Sequence, residues 1–395
     1  MRLRAVVLAL ALSGCSGALA SIRAAASQGD VARAARLYHA YVDNRGYADP
    51  EALSVVALEV LRQCASSDDA RVRSATFALL KTLGPLARPA LEPLARREGV
   101  VGDRAAALLH ELDGRDGTPP QRLREALRSP DVERRIAGMS SLRGRSGLRR
   151  LVTLAHDDDP RVRATAVTLL GAYGTSAVEA LRAALTDADP RVRMLAPSAL
   201  MTASASAAVE SLGALLTPDA TALSIESARV LVSHGDARGV THILDALQHA
   251  AGELRAQAAS AAGALPTASE ATLAALMRDR DPEVALRIAT VMLRRPQRRQ
   301  AALTALRALA ARREATLSLR AYIALGATGV EHAQRAVVEA MWSSDESVRR
   351  LAVGAWPRVV GAEASAVDPL ALLLTDADRV LAATAAAGVV AIAAR

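Results

Sequence analysis

The sequence predicts an all-α solenoid of about eleven antiparallel helix pairs behind an N-terminal helical cap. Three observations predict it. The frame Asp-x-Asp-Pro-x-Val stands at Asp157–Val162, at Asp187–Val192 and at Asp279–Val284, and a period near thirty residues signals stacked supersecondary units. Each frame reads as a helix start followed by apolar residues at helical spacing. The 395 residues are 51% hydrophobic but only 2% aromatic, a composition that suits short, closely packed helices.

Within one unit, Asp159 is placed to accept the free N–H groups of a first helical turn. Pro160 at the first helical position loses no hydrogen bond there, and the acidic group meets the positive end of the helix dipole. Val162, Ala166, Leu169 and Leu170 form the apolar stripe, with Gly171 as the expected stop. Val178, Leu181 and Leu185 then mark a shorter second helix before the next frame.

Residues 1–20 read as an export signal. Arg2 and Arg4 precede the apolar run Ala5–Leu12, which is too short to span a bilayer. Leu12-Ser13-Gly14-Cys15 resembles the bacterial lipobox, which implies lipidation of Cys15, a membrane anchor and a place in the cell envelope facing the periplasm. Cleavage after Ala18-Leu19-Ala20 is the rival reading. Residues 21–64 form the expected cap: a helix closing at Gly29, a second over Val31–Val42 carrying Leu37, Tyr38 and Tyr41, and a third from Asp49-Pro50 through Leu61. Cys64 reads as a small buried hydrophobe.

Over residues 65–395, aligning copies on the frame valine gives Val72, Val132, Val162, Val192, Val284, Val348 and Val380. The larger gaps leave room for further units near Gly102, Ser224, Gly252 and Thr316. Pro197 is expected to kink or shorten its helix, Trp356-Pro357 marks a helix end, and Gly114–Pro120 is the best loop. The frame Asp-Pro-x-Val-Arg followed by Ala and Leu resembles HEAT repeats, particularly the short PBS-lyase-like class. That resemblance implies a concave face lined by the Val-Arg helices. It makes Asp69, Asp159, Asp189 and Asp345 turn residues, and Arg73, Arg163, Arg193 and Arg349 their partners in a ladder between repeats. Ala285 and Leu381 stand where that arginine is expected, so the ladder should break at both.

No signature of a hydrolase nucleophile, a zincin, a phosphate loop or a dinucleotide fold is present, and no cofactor is expected. His110-Glu111 is one lone pair of the kind that HEAT-fold di-iron enzymes need in multiples. His242, Asp245 and His249 share a helical face with His234 nearby, but two turns separate the histidines; a polar outer face is the plainer reading. Asp157–Asp159 lacks the glycine turn of a calcium loop.

The formal charge of +8 favours acidic partners. Arginines cluster at Arg143, Arg145, Arg149 and Arg150, and again at Arg294, Arg295, Arg298, Arg299, Arg307, Arg312 and Arg313. Nucleic acid is disfavoured because stacking aromatics are nearly absent. Trp356 reads as core, and Trp342, which closes the preceding helix, reads as core with an exposed anchor for a partner as the alternative. The apolar run Val380–Ala394 has no polar closing helix after it, which predicts an exposed face and self-association. The sequence therefore points to a non-enzymatic scaffold that is exported and lipid-anchored. It would hold a protein or peptide through positions beside the frame, such as Arg161, Arg191, Glu283 and Arg350. The alternatives are an enzyme or accessory acting on a tetrapyrrole or its carrier, by the PBS-lyase resemblance, and binding of anionic envelope lipid or polymer.

Overall fold

The computed structural model describes residues 17–114, 121–361 and 363–395. Cys15, the rest of the expected signal segment before residue 17, and residues 115–120 of the expected loop lie outside them. Among the described residues every regular element is an α- or 3-10 helix, and no helix is long and apolar enough to cross a membrane.

The cap forms as its sequence predicts. A helix at 17–27 is followed by Val31–Arg45, capped by Asp30, and by Pro50–Ala65, capped by Asp49. Tyr38 and Tyr41 are buried. The Tyr38 hydroxyl accepts the Asp49 backbone N–H at 3.1 Å, and burial pushes its pKa up to about 12.

After the cap, opening helices begin at Ala70, Gly99, Val132, Pro160, Pro190, Ala222, Gly252, Pro282, Ala315, Glu346 and Arg379, eleven among the described residues. The units expected near Gly102, Ser224, Gly252 and Thr316 are among them. Asp69, Asp131, Asp159, Asp189, Asp281, Asp345 and Asp378 each accept a first-turn N–H, so the frame works as a cap. Two copies register on that cap rather than on their valine. Arg135 stands four residues after Asp131 as Arg163 does after Asp159, and in the last copy Leu381 takes the valine position and Ala382 the arginine position.

Local details differ from expectation where packing overrides them. Gly171 is right-handed, and the left-handed residue is Gly174, at φ +63° inside the 3-10 stretch Gly171–Ala177. Gly171 instead allows close approach: a Cβ there would sit 3.2 Å from the Ala199 carbonyl oxygen. The helix Pro190–Ala203 runs through Pro197, which is buried, so that proline does not shorten it. Pro357 lies two residues before the end of Glu346–Val359.

The chain divides into two compact units. One unit runs through Ala321 from beyond residues 115–120. Its core is a ladder of small and branched residues, including Val162, Ala166, Leu170, Leu181, Val192, Ala196 and Leu200. The other unit joins the N-terminal residues with Tyr322–Arg395.

In that second unit the helix Arg379–Ala393 packs against Pro50–Ala65, Ala70–Leu83 and Glu346–Val359. Leu381, Ala385, Val389, Val390 and Ile392 are buried, and the Cys64 thiol faces the Arg379 carbonyl at 3.6 Å. Gly388 permits close approach to the short helix Asp368–Ala371, since a Cβ there would come 2.8 Å from Leu370 Cδ1. The expectation of an exposed C-terminal face is thereby corrected: the apolar stripe is covered by this chain itself, largely by the cap helix Pro50–Ala65.

Candidate functional site

The ladder between repeats is built from one guanidinium per junction. Arg163 Nε and Nη2 donate to the two carboxylate oxygens of Asp187, both at 2.9 Å. Its Nη1 donates to the carbonyls of Asp157 and Asp158 at 2.9 and 3.1 Å. One side chain thus closes its own turn and clamps the next repeat. Arg255 grips Asp279 the same way at 2.8 and 2.6 Å, and Arg135 reaches Asp157 at 3.1 Å.

At these three junctions the acceptor is not the capping aspartate but the one two residues earlier. That residue also accepts the backbone N–H of the cap: Asp159 N to Asp157 at 3.0 Å, Asp189 N to Asp187 at 2.8 Å and Asp281 N to Asp279 at 2.9 Å. Where the position is Ser67, Ser129 or Ser343, its hydroxyl keeps the turn bond but offers no carboxylate. The Arg163–Asp187 pair is largely buried, with side chains 15% and 11% exposed. Hydrogen bonds from Arg163 hold the Asp187 carboxyl below its usual range. Burial pulls Asp279 upward, but its bonds from Arg255 and the Asp281 N–H outweigh this and leave it lowered.

Of the other residues singled out by sequence, Asp69 and Asp345 are caps, while Arg73 and Arg193 close their own turns on backbone carbonyls. Arg349 is corrected: its buried Nε has no hydrogen-bond partner, and the crossing contact comes from Arg350, which donates to Asp378 at 3.0 Å and pairs with Glu346. Glu283 takes Arg320 at 2.7 Å and Arg287 at 2.7 Å. Glu283 and Arg350 are therefore engaged within the fold. Arg161 and Arg191 face solvent beside their own caps, 3.0 Å from Asp159 and 3.5 Å from Asp189. Ala285 does interrupt the ladder. At the last copy the missing arginine falls at Ala382.

The histidines make three separate local contacts. His242 is buried, with Nε2 2.9 Å from the Ser224 hydroxyl. That hydroxyl also accepts the Thr221 N–H in a capping box. His242 is thus not part of a polar outer face, and burial lowers its pKa. His249 meets Asp245 at 2.9 Å, and His234 meets the Val230 carbonyl at 3.0 Å. Among the described residues no group of three His, Cys, Asp or Glu is placed to hold a metal ion. His110 is buried, and Glu111 faces Lys81 at 3.5 Å. Trp356 is core, its indole N–H donating to Ala366 at 2.7 Å, whereas Trp342 is 52% exposed and so corrects its core reading.

Two arginine-lined clefts emerge that sequence reasoning pointed toward but did not assemble. A cavity of about 770 Å³ lies beside the helix Gly144–Leu154 and is walled by Arg124, Arg128, Arg143 and Arg150. Another, of about 590 Å³, lies beside the helix Arg299–Ala310 and includes Arg278, Arg298 and Arg312 in its wall. The arginine clusters were visible in the sequence. Which members share a wall depends on how second helices of neighbouring repeats face each other.

A sequence model of the family described as HEAT repeats matches residues 148–232, the stretch that holds the two most regular frames and the Arg163–Asp187 clamp. Residues 148–232 are therefore HEAT repeats. Comparison with curated proteins finds no match. Among solved structures, the chain is similar to YibA of E. coli at 15% identity and a TM-score of 0.30, covering 71% of this chain and 95% of that one. It is also similar to two mutant forms of Kap121p, each at 12% identity. Their TM-scores are 0.34 and 0.35, with 85% and 94% of this chain covered. The chain spans less than half of Kap121p, 45% and 48% in the two structures.

Proposed function

We propose that this protein is a non-enzymatic scaffold, exported and anchored by lipid at Cys15, that holds an acidic segment of a partner protein. HEAT arrays bind proteins because stacked helices offer extended surface without a closed pocket. One observation carries the choice of partner. The cleft beside Gly144–Leu154 is walled by four arginines, and no acidic residue lines it among the described residues. Guanidinium groups grip carboxylates in bidentate geometry, and clustered like charge raises the local concentration of an oppositely charged segment. Arg161 and Arg191 extend the cationic surface within the same unit.

The anchor reading rests on the lipobox-like run Leu12-Ser13-Gly14-Cys15. Mass spectrometry of the mature N-terminus tests this: a diacylated cysteine is expected, and a chain beginning at Ser21 would overturn it.

The partner reading is tested by fluorescence anisotropy with a labelled Glu/Asp-rich peptide. Binding should weaken steeply with salt and fall at least tenfold in the double variant Arg124→Glu/Arg128→Glu. Binding that is absent in the wild type, indifferent to salt or unchanged in the variant would refute it.

A further inference from the structure

The ladder does not merely stop at Ala285; its polarity is reversed there. At the preceding junction Arg255 meets Asp279, four residues after one helix start and two before the next. At the following junction the corresponding residues are Ala285 and Arg312. Arg312 stands two residues before Glu314, whose carbonyl closes the first turn of Ala315–Gly326 by accepting the Ser318 N–H at 2.9 Å. An alanine thus replaces the arginine, and an arginine replaces the aspartate. Both residues line the cavity of about 590 Å³.

The arginines around it are weakly compensated within the fold. Arg278 and Arg312 are exposed, and the Nε of Arg298 is buried without a hydrogen bond, 3.9 Å from the nearest Glu270 oxygen. The one acid in the wall, Asp279, has both oxygens held by Arg255 at 2.8 and 2.6 Å. The remaining wall is mostly apolar, with Ala274, Ala301 and Ala305 in it. The volume falls within the few hundred to about 1,000 Å³ common for small-ligand sites.

We propose that this cavity binds a carboxylate-bearing ligand, whose acid group takes the place of the absent ladder aspartate against Arg312 and Arg298. Carboxylate is favoured over phosphate because the neighbouring junctions show the two-point guanidinium–carboxylate grip that this position inherits. The small apolar wall suits an organic body behind the acid. The acid belongs either to a free organic diacid or to a glutamate side chain of a peptide. The site is distinct from the cleft beside Gly144–Leu154 and does not depend on it.

Calorimetric titration with glutarate, with a capped Ala-Glu-Ala-Ala peptide and with inorganic phosphate tests this on the full chain. At least one carboxylate probe should bind at one equivalent, and whichever binds identifies the source. Arg312→Asp should weaken it at least tenfold. The double variant Ala285→Arg/Arg312→Asp rebuilds the clamp seen at Arg255–Asp279, so it should fold, melt no lower than the wild type and bind neither probe. The proposal is overturned if neither carboxylate binds, if phosphate binds as tightly, or if Arg312→Asp binds as well as the wild type. The Arg124→Glu/Arg128→Glu variant should keep the binding. If it loses it instead, this site is wrong and the other cleft is the anion site.

Discussion

Leu381→Ala tests the closure of the N-terminal cap on the last helix. Leu381 is fully buried at the valine position of the final copy. Truncating a buried leucine to alanine costs about 2–5 kcal/mol, because apolar transfer is lost and a cavity remains. Taking about 3 kcal/mol, opening of this region becomes roughly a hundredfold more frequent, at about 1.4 kcal/mol per decade. Hydrogen exchange read by mass spectrometry measures that opening segment by segment. At the free end of a repeat array, the defect would loosen only Arg379–Ala393. Here Pro50–Ala65 stands as the partner of that helix, so both segments should lose about two decades of protection together, while Pro160–Leu170 keeps its own. If the 379–393 peptides exchange faster and the 50–65 peptides do not, the closing interface is refuted.

The ladder carries a pH signature. Asp187 is held below its usual range in the folded state, so its stabilisation is present above the unfolded value near pH 4 and lost as pH falls through the lower folded value. Arg163→Ala should lower stability at pH 7 by about 2 kcal/mol, the worth of a largely buried charged hydrogen bond, read as a lower urea midpoint, and flatten the loss of stability below about pH 4. Parallel acid limbs in the two proteins would show that the clamp is not the titrating element. His242 gives a second window: burial lowers its pKa, so stability should fall as pH drops below its unfolded value of about 6.5. His242→Gln, which can still reach Ser224, should remove most of the change between pH 7 and pH 5 in thermal melts; an unchanged slope would contradict the burial argument. Acrylamide should quench Trp342 and spare Trp356, leaving a Trp342→Phe protein nearly unquenchable, and equal quenching of both indoles would count against their placement.

Much of the fold was legible in the sequence because its signals are local. Asp159, Pro160 and Val162 lie within one turn of each other, and a cap, a first-turn proline and an apolar stripe act over four residues or fewer. The errors share a cause as well. Arg349 and Arg350 are neighbours with the same chemistry, and only the facing repeat shows that Arg350 is the one to reach Asp378. Val132 and Val380 set the wrong register because they stand one and two residues after their capping aspartates, where the regular frame has its valine three residues on. Trp342 and His242 exchanged their expected environments, since helical spacing gives a face but not what covers it.

The sequence by itself determined the class of fold, the unit length, the helix starts and the break at Ala285, all written in hydrogen bonds and spacings between near neighbours. Tertiary structure alone decided which aspartate each arginine clamps, a contact 24 residues away in Arg163–Asp187. It also decided that the cavity beside Ala285 is walled by arginine rather than filled by it. Above all it decided that the last helix is covered by the cap, bringing Cys64 to Arg379 across 315 residues. No short-range pattern encodes such a contact, because it depends on how buried faces from distant repeats come to match.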